Sequence, residues 1–159
     1  MKIDFWQLSE DGPEKVIALI AARVLDAGER MLVISADAEQ RARITRALWR
    51  AGAESFLANG EAAGAGAALQ PVLLSDTIDA IDAAGEQGAE AANPSINGAS
   101  HVVFADGTYR DPTGFDRAFL LFDETTRQAA RKTWSSLGDA TDSERSFYRQ
   151  DAGKWVKVA

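Results

Sequence analysis

No cysteine occurs among the 159 residues of this sequence, which removes disulfides, thiolate metal sites and cysteine nucleophiles together. Histidine occurs once, as His101, at the start of an apolar stretch. With no Gly-x-Ser-x-Gly elbow and no acid motif beside it, that imidazole is expected to be structural rather than a base or a ligand. Long apolar runs are missing as well. Nothing approaches the roughly 18 consecutive apolar residues of a membrane-spanning helix, so no membrane partner is expected. Residues 1–8 carry Asp4 and read as neither a signal nor a transit peptide. With the absence of cysteine, this fits a cytoplasmic location. Positive charge is scarce: 17 Lys and Arg stand against 24 Asp and Glu, a net charge of −7 with a pI near 4.7. That balance argues against direct contact with nucleic acid, whose backbone needs a basic face. A local basic patch can still steer an acidic partner.

A phosphate cradle is also missing. In a dinucleotide-binding sheet a glycine-rich turn follows the first strand. Here the first apolar stretch runs into Ser9-Glu-Asp-Gly-Pro13, where the acids repel phosphate, and Gly64-Ala-Gly66 lacks the third glycine. The absence of that cradle speaks against the alternative reading, a small nucleotide- or sugar-phosphate-dependent enzyme on a Rossmann-like sheet. Asp76, Asp79 and Asp82 share a helical spacing but read as a solvated acidic face. No catalytic residue, metal or cofactor is expected.

What is present is a core. The hydrophobic fraction is 46%, enough for one domain spanning residues 1–159. Residues 2–8 read as a strand. Pro13 opens a helix that closes at Ala27-Gly28. The continuous apolar run Met31-Leu-Val-Ile34 suits a strand buried on both faces. Asp37 and Gln40 resemble a capping box, starting a helix to about Ala51. Its buried side carries Ile44 and Leu48, while Arg41, Arg43, Arg46 and Arg50 fill much of the rest. Trp49 lies either in the core or on a partner surface, together with Phe56. Residues 54–57 are read as a short extended segment, 59–69 as a Gly/Ala-rich loop, 71–75 as a strand, 77–84 as a short helix and 85–98 as a loop. Strands are expected at 101–105 and 117–122, a helix over 123–138, and a hairpin at 144–158 with a three-residue turn at 151–153. The alternation of strands and helices predicts an α/β fold: a mostly parallel central sheet with helices on both faces.

The helix over 123–138 holds the most informative pattern. Arg127, Arg131 and Trp134 stand at i, i+4 and i+7, on one helix face. Two guanidiniums with an aromatic plate beyond them suit a carboxylate joined to an apolar group. A peptide ending in a hydrophobic residue has that shape. The alternative is a solvated Arg pair beside a core Trp.

The order of short motifs resembles the chi subunit of bacterial DNA polymerase III, a clamp-loader accessory protein. The motifs are Ile3-Asp-Phe-Trp-Gln-Leu8, Ala47-Leu-Trp49 with Glu54-Ser-Phe-Leu57, Pro71-Val-Leu-Leu74, Phe122-Asp-Glu followed by Arg127, Arg131 and Trp134, then Phe147-Tyr-Arg-Gln150 and Gly153-Lys-Trp155. The resemblance implies a non-enzymatic protein of Rossmann-like topology. It also implies binding to the acidic C-terminal tail of single-stranded-DNA-binding protein, which ends in Pro-Phe with a free carboxylate. Arg127 and Arg131 match basic contacts with that tail, although the first is usually Lys in the family. Trp134 matches an aromatic lining the pocket for the terminal Phe, and Phe122 contributes apolar wall. Ser135 stands where some members carry a further basic residue, and Lys132 is expected to substitute from a neighbouring face. Trp49 and Phe56 match the region that contacts a psi subunit, the link to the clamp loader. The stretch from Gly85 to Ser100 has no counterpart in the pattern.

Overall fold

The computed structural model describes residues 1–51, 57–78, 95–138 and 143–159. Strand β1 (Lys2–Gln7) leads into α1 (Pro13–Asp26), β2 (Met31–Ile34) and α2 (Ala38–Arg50). Then come β3 (Asn59–Glu61), a 3₁₀ turn at Ala67–Leu69, β4 (Val72–Ser75), β5 (His101–Phe104) and β6 (Arg117–Phe122). The chain closes with α3 (Arg127–Leu137) and the strands β7 (Glu144–Asp151) and β8 (Lys154–Lys157). The strands form one eight-stranded sheet in the order β3-β4-β2-β5-β6-β1-β7-β8. Every pairing is parallel except the β7–β8 hairpin. The expected mixed α/β fold with a mostly parallel sheet is what the chain adopts.

The sheet separates two apolar layers. On one side Met31, Val33, Val72, Leu74, Phe119 and Leu121 meet the buried stripes of α1 and α2, including Ile17, Val24, Ile44 and Leu48. On the other side Ile3, Phe5, Leu32, Phe104, Leu120 and Phe122 lie together with Ala130 of α3. The period-2 alternation of a strand puts neighbours on opposite faces. Phe5 therefore enters the α3 layer while Trp6 enters the α1–α2 layer. There Trp6 packs on Trp155 at 4.6 Å between ring centroids and on Tyr148 at 5.3 Å, so the terminal hairpin is pinned to the middle of the sheet.

Local chemistry sets the element ends. Pro13 takes the first helical position of α1, where a missing N–H costs nothing. Asp37 caps α2 by accepting from the Glu39 N–H at 2.9 Å. The reciprocal half of the expected capping box does not form. Gln40 turns inward, donates to the Ala105 carbonyl at 3.1 Å and accepts from the Ser35 hydroxyl, tying α2 to the ends of β2 and β5.

Several expectations are corrected. The segment 59–69 is not all loop: Asn59–Glu61 pairs parallel with β4 as the sheet edge. Asn and Gly are poor strand formers, and pairing to a buried neighbour overrides that preference. Helix α3 begins at Arg127 rather than 123. Before it, one Asp123 carboxylate oxygen accepts from the N–H groups of Thr125 at 2.9 Å and Thr126 at 3.2 Å, which holds a turn. In the hairpin Asp151 still pairs with Lys154. The turn is thus the two residues Ala152 and Gly153, both at positive φ (50° and 78°), as a type I′ turn requires. Most of the expected helix at 77–84, most of the loop at 85–98 and residues 54–56 lie outside the described residues.

The strand β1 also carries a charge that its apolar pattern hides. Asp4 is 2% exposed, and the Arg117 side chain donates to it from β6. Burial pushes the Asp4 carboxyl above its ordinary range, and the Arg117 guanidinium only partly offsets this.

Candidate functional site

The strands β6, β1 and β7 lie side by side, and their register sets a floor. Phe122 pairs with Gln7, and Phe5 with Phe147, so these four side chains point to the α3 face of the sheet. Ala130 is 2% exposed and seats α3 close against that face. A small residue there lets the helix approach. A groove of about 430 Å³ remains between helix and sheet, with Phe5, Phe122 and Phe147 at its base and Gln7 at its edge.

The α3 stripe supplies the other wall. Arg127, Arg131, Trp134 and Ser135 all line the groove. The Trp134 ring meets Phe5 edge-on at 5.1 Å and 82°, and Phe147 at 6.2 Å and 82°. Behind it the Arg145 guanidinium lies 4.3 Å from the indole centroid and donates to the Trp134 carbonyl. Trp134 is therefore held by two T-shaped ring contacts and a cation, and it presents a fixed apolar wall. Both Arg127 and Arg131 are exposed. Among the described residues neither is in an ion pair. Among the described residues no Asp or Glu side chain lines the groove. Arg127 is also the first residue of α3, where the helix dipole adds positive potential. The arrangement is an apolar slot with two unpaired guanidiniums on its rim. It can take an aromatic or aliphatic side chain whose neighbouring carboxylate meets the arginines.

The site residues expected from the sequence divide as follows. Arg127, Arg131, Trp134 and Phe122 come together at this groove. Lys132 is exposed on α3 but does not line it. Trp49 belongs to α2, whose buried stripe packs in the opposite layer, and it is 49% exposed, so it is not a core residue. Phe56 lies outside the described residues. Phe5, Gln7, Phe147, Ala130 and Arg145 were not among the expected site residues. Phe147 stands in one of the quoted motifs, and the alternation Phe5-x-Gln7 is visible once β1 is read as a strand. Arg145 carries no such signal.

Elsewhere the loop after β1 is tied to β7. Gln150 donates to the Asp11 carboxylate at 2.7 Å and accepts from the Asp11 N–H at 3.2 Å. The bond from the Gln150 amide, with Lys15, holds the Asp11 carboxyl below its usual range. His101 is partly buried, and burial holds it below its ordinary value. Its Nδ1 lies 2.8 Å from the Ser100 hydroxyl.

The turn that launches α3 gives a pH prediction. Hydrogen bonds from Thr125 and Thr126 hold Asp123 below the ordinary carboxylate range. A carboxylate with a lowered folded value stabilises above its unfolded pKa of 3.8, and that stability is lost as pH falls through the folded value. The thermal midpoint of the wild type should exceed that of Asp123→Asn at pH 6, and the gap should narrow as pH falls below 3.8 and through the lowered folded value. A gap that stays constant across that range would rule out the ionised cap.

The family model described as DNA polymerase III chi subunit, HolC, matches residues 1–141. No curated protein matches the chain. The matched residues contain β1, β6 and α3, hence Phe5, Gln7, Phe122, Arg127, Arg131 and Trp134; the hairpin that adds Phe147 follows them. The chain belongs to the DNA polymerase III chi subunit family, a family of accessory subunits of that polymerase.

Proposed function

We propose that the α3 groove binds the acidic C-terminal tail of single-stranded-DNA-binding protein, and that the protein thereby tethers the polymerase III clamp loader to coated single strands. In this reading it works without catalysis, in the cytoplasm, on a Rossmann-like sheet. The observation that carries it is the pair of guanidiniums, Arg127 and Arg131, without an ion pair among the described residues, on the rim of an apolar groove of about 430 Å³. A tail ending in Phe offers both halves of the complement. The ring enters the slot against Trp134 and Phe122. The terminal carboxylate meets Arg131, and preceding acids meet Arg127.

The magnitudes are adequate. Burying a Phe side chain contributes roughly 1.5–3 kcal/mol. Each charge-assisted hydrogen bond contributes roughly 1.5–3 kcal/mol gross. After association costs, an affinity in the micromolar range follows, about −8 kcal/mol. Calorimetric titration with the cognate tail peptide should show micromolar binding that weakens with added salt. The same peptide lacking its last Phe should not bind. Equal binding by both peptides would sink the reading.

Trp49 supports a second contact. A large aromatic, 49% exposed, on the α2 side of the sheet is available to a partner while the α3 groove is filled. A psi subunit is the partner proposed there, with Phe56 as its second anchor. Trp49→Ala should weaken psi capture at least about tenfold, as expected for an aromatic hot spot, and leave tail-peptide affinity unchanged. Undiminished psi capture would exclude Trp49 from the contact.

A further inference from the structure

The cations of α2 are not used by either contact. In a protein of net charge −7, Arg43, Arg46 and Arg50 line one groove of about 490 Å³ with Lys15 of α1. The helical spacing explains this: 43, 46 or 47, and 50 fall on one face, here the face beside α1. Two of these charges are answered. Lys15 pairs with Asp11 at 3.1 Å and Arg43 with Glu14 at 3.0 Å. Among the described residues Arg46 and Arg50 have no ion pair, and both are exposed. Ala18, Ala47 and Ala51 keep the groove open between them.

The groove continues into an apolar one. A second depression of about 320 Å³ shares Lys15, Ala18 and Ala51 with the first and adds Val16, Leu19, Ala22 and Trp155, together with Asp11, whose carboxylate is already held by Lys15 and Gln150. Leu19 is 39% exposed on a helix whose buried stripe lies elsewhere. A basic trough therefore runs into an apolar shelf, on the face opposite α3.

We infer that the α1–α2 groove is a second docking surface, for an acidic peptide segment that carries an apolar side chain beside its carboxylates. Charge complementarity sets the acidic half: two exposed guanidiniums one turn apart, with no ion pair among the described residues, match carboxylates or phosphates. The apolar shelf decides between them. A single nucleic-acid strand is held by free aromatic plates under its bases, and among the described residues the one aromatic lining either depression, Trp155, is already packed against Trp6. The overall negative charge also repels a polyanion at long range, whereas a short peptide meets mainly the local field. This surface is independent of the α3 groove, and the two lie on opposite faces of the sheet. The protein can then hold two acidic segments at once, as an adaptor does.

The test is a ¹⁵N–¹H NMR titration of the full chain with a short peptide of Asp, Glu and Leu, blocked at both ends. Blocking removes the terminal carboxylate that the α3 groove would recognise. The amides of Lys15, Leu19, Arg46 and Arg50 should shift, and the double variant R46E/R50E should weaken binding at least about tenfold. Leu19→Ser, which leaves every cation in place, should weaken it about threefold through lost apolar contact. The double variant should keep its melting midpoint and its affinity for the Phe-terminated tail peptide. Shifts confined to α3, undiminished binding by R46E/R50E, or displacement of the peptide from this face by an oligothymidylate at equal concentration would each overturn the assignment.

Discussion

Reversing the charge at Arg131 (R131E) is expected to lower affinity for the Phe-terminated acidic tail by about 100-fold or more. The variant loses a charge-assisted hydrogen bond, roughly 1.5–3 kcal/mol, and gains repulsion between like charges at the groove rim. Because Arg131 is exposed and free of ion pairs among the described residues, nothing in the fold depends on it. Its melting midpoint should stay within about a degree or two, as for ordinary surface changes. Arg131→Lys should fall between, since an ammonium keeps the charge but not the bidentate fork. Lys132→Glu makes the sharper control. It changes net charge by the same amount on the same helix, yet Lys132 does not line the groove, so only a few-fold loss is expected from the long-range field. If K132E matched R131E, the tail would be held by a diffuse field and not by a seat at Arg131. If R131E bound within threefold of wild type, the seat would not be there at all.

The contrast between those two residues shows what was legible beforehand. A helix advances about 100° per residue. Arg127, Arg131 and Trp134 therefore fall on one stripe, and Lys132 falls about 100° away from Arg131. Helical periodicity is local, and it correctly excludes Lys132 from the stripe; the expectation that it substitutes for a missing base came from the resemblance instead. The floor was not legible in the same way. Phe5 and Phe147 meet because β1 and β7 pair in parallel across the length of the chain, and no local pattern encodes that pairing. Strand alternation says that Phe5 and Gln7 share a face, but not which layer that face enters. The edge strand at Asn59–Glu61 was hidden for a related reason. Its residues disfavour extended structure, and only β4 beside it supplies the hydrogen bonds. The hairpin register turned on one residue: Asp151 belongs to the ladder, and positive φ at Ala152 as well as Gly153 makes the turn. Arg145 sits behind Trp134 through a ring contact and a hydrogen bond to its carbonyl, and no local pattern encodes either.

Truncating Phe5 to Ala should couple stability to the site in a way that R131E does not. Phe5 is 1% exposed, and removing a buried phenyl ring costs about 3–5 kcal/mol. At roughly 2–4 °C per kcal/mol for a chain of this size, the midpoint should fall about 6–20 °C. Phe5 is also the edge-on partner of Trp134 at 5.1 Å, and it lines the groove base. The cavity left behind therefore opens directly under the indole. Trp134 then keeps Phe147 and Arg145 as neighbours but loses its nearest ring, so its fixed orientation relaxes. The Trp134 indole N–H resonance should broaden or shift, and tail affinity should fall about tenfold even well below the melting temperature. Phe5→Leu, which fills most of the space, should recover most of the stability but less of the binding, because a branched aliphatic cannot make the T-shaped ring contact that Phe5 makes with the indole. A Phe5→Ala protein that bound the tail as tightly as wild type at low temperature would show that the groove is built by α3 alone. Loss of both properties from a residue that is buried beneath the rim arginines is what the sheet-and-helix construction of the groove requires.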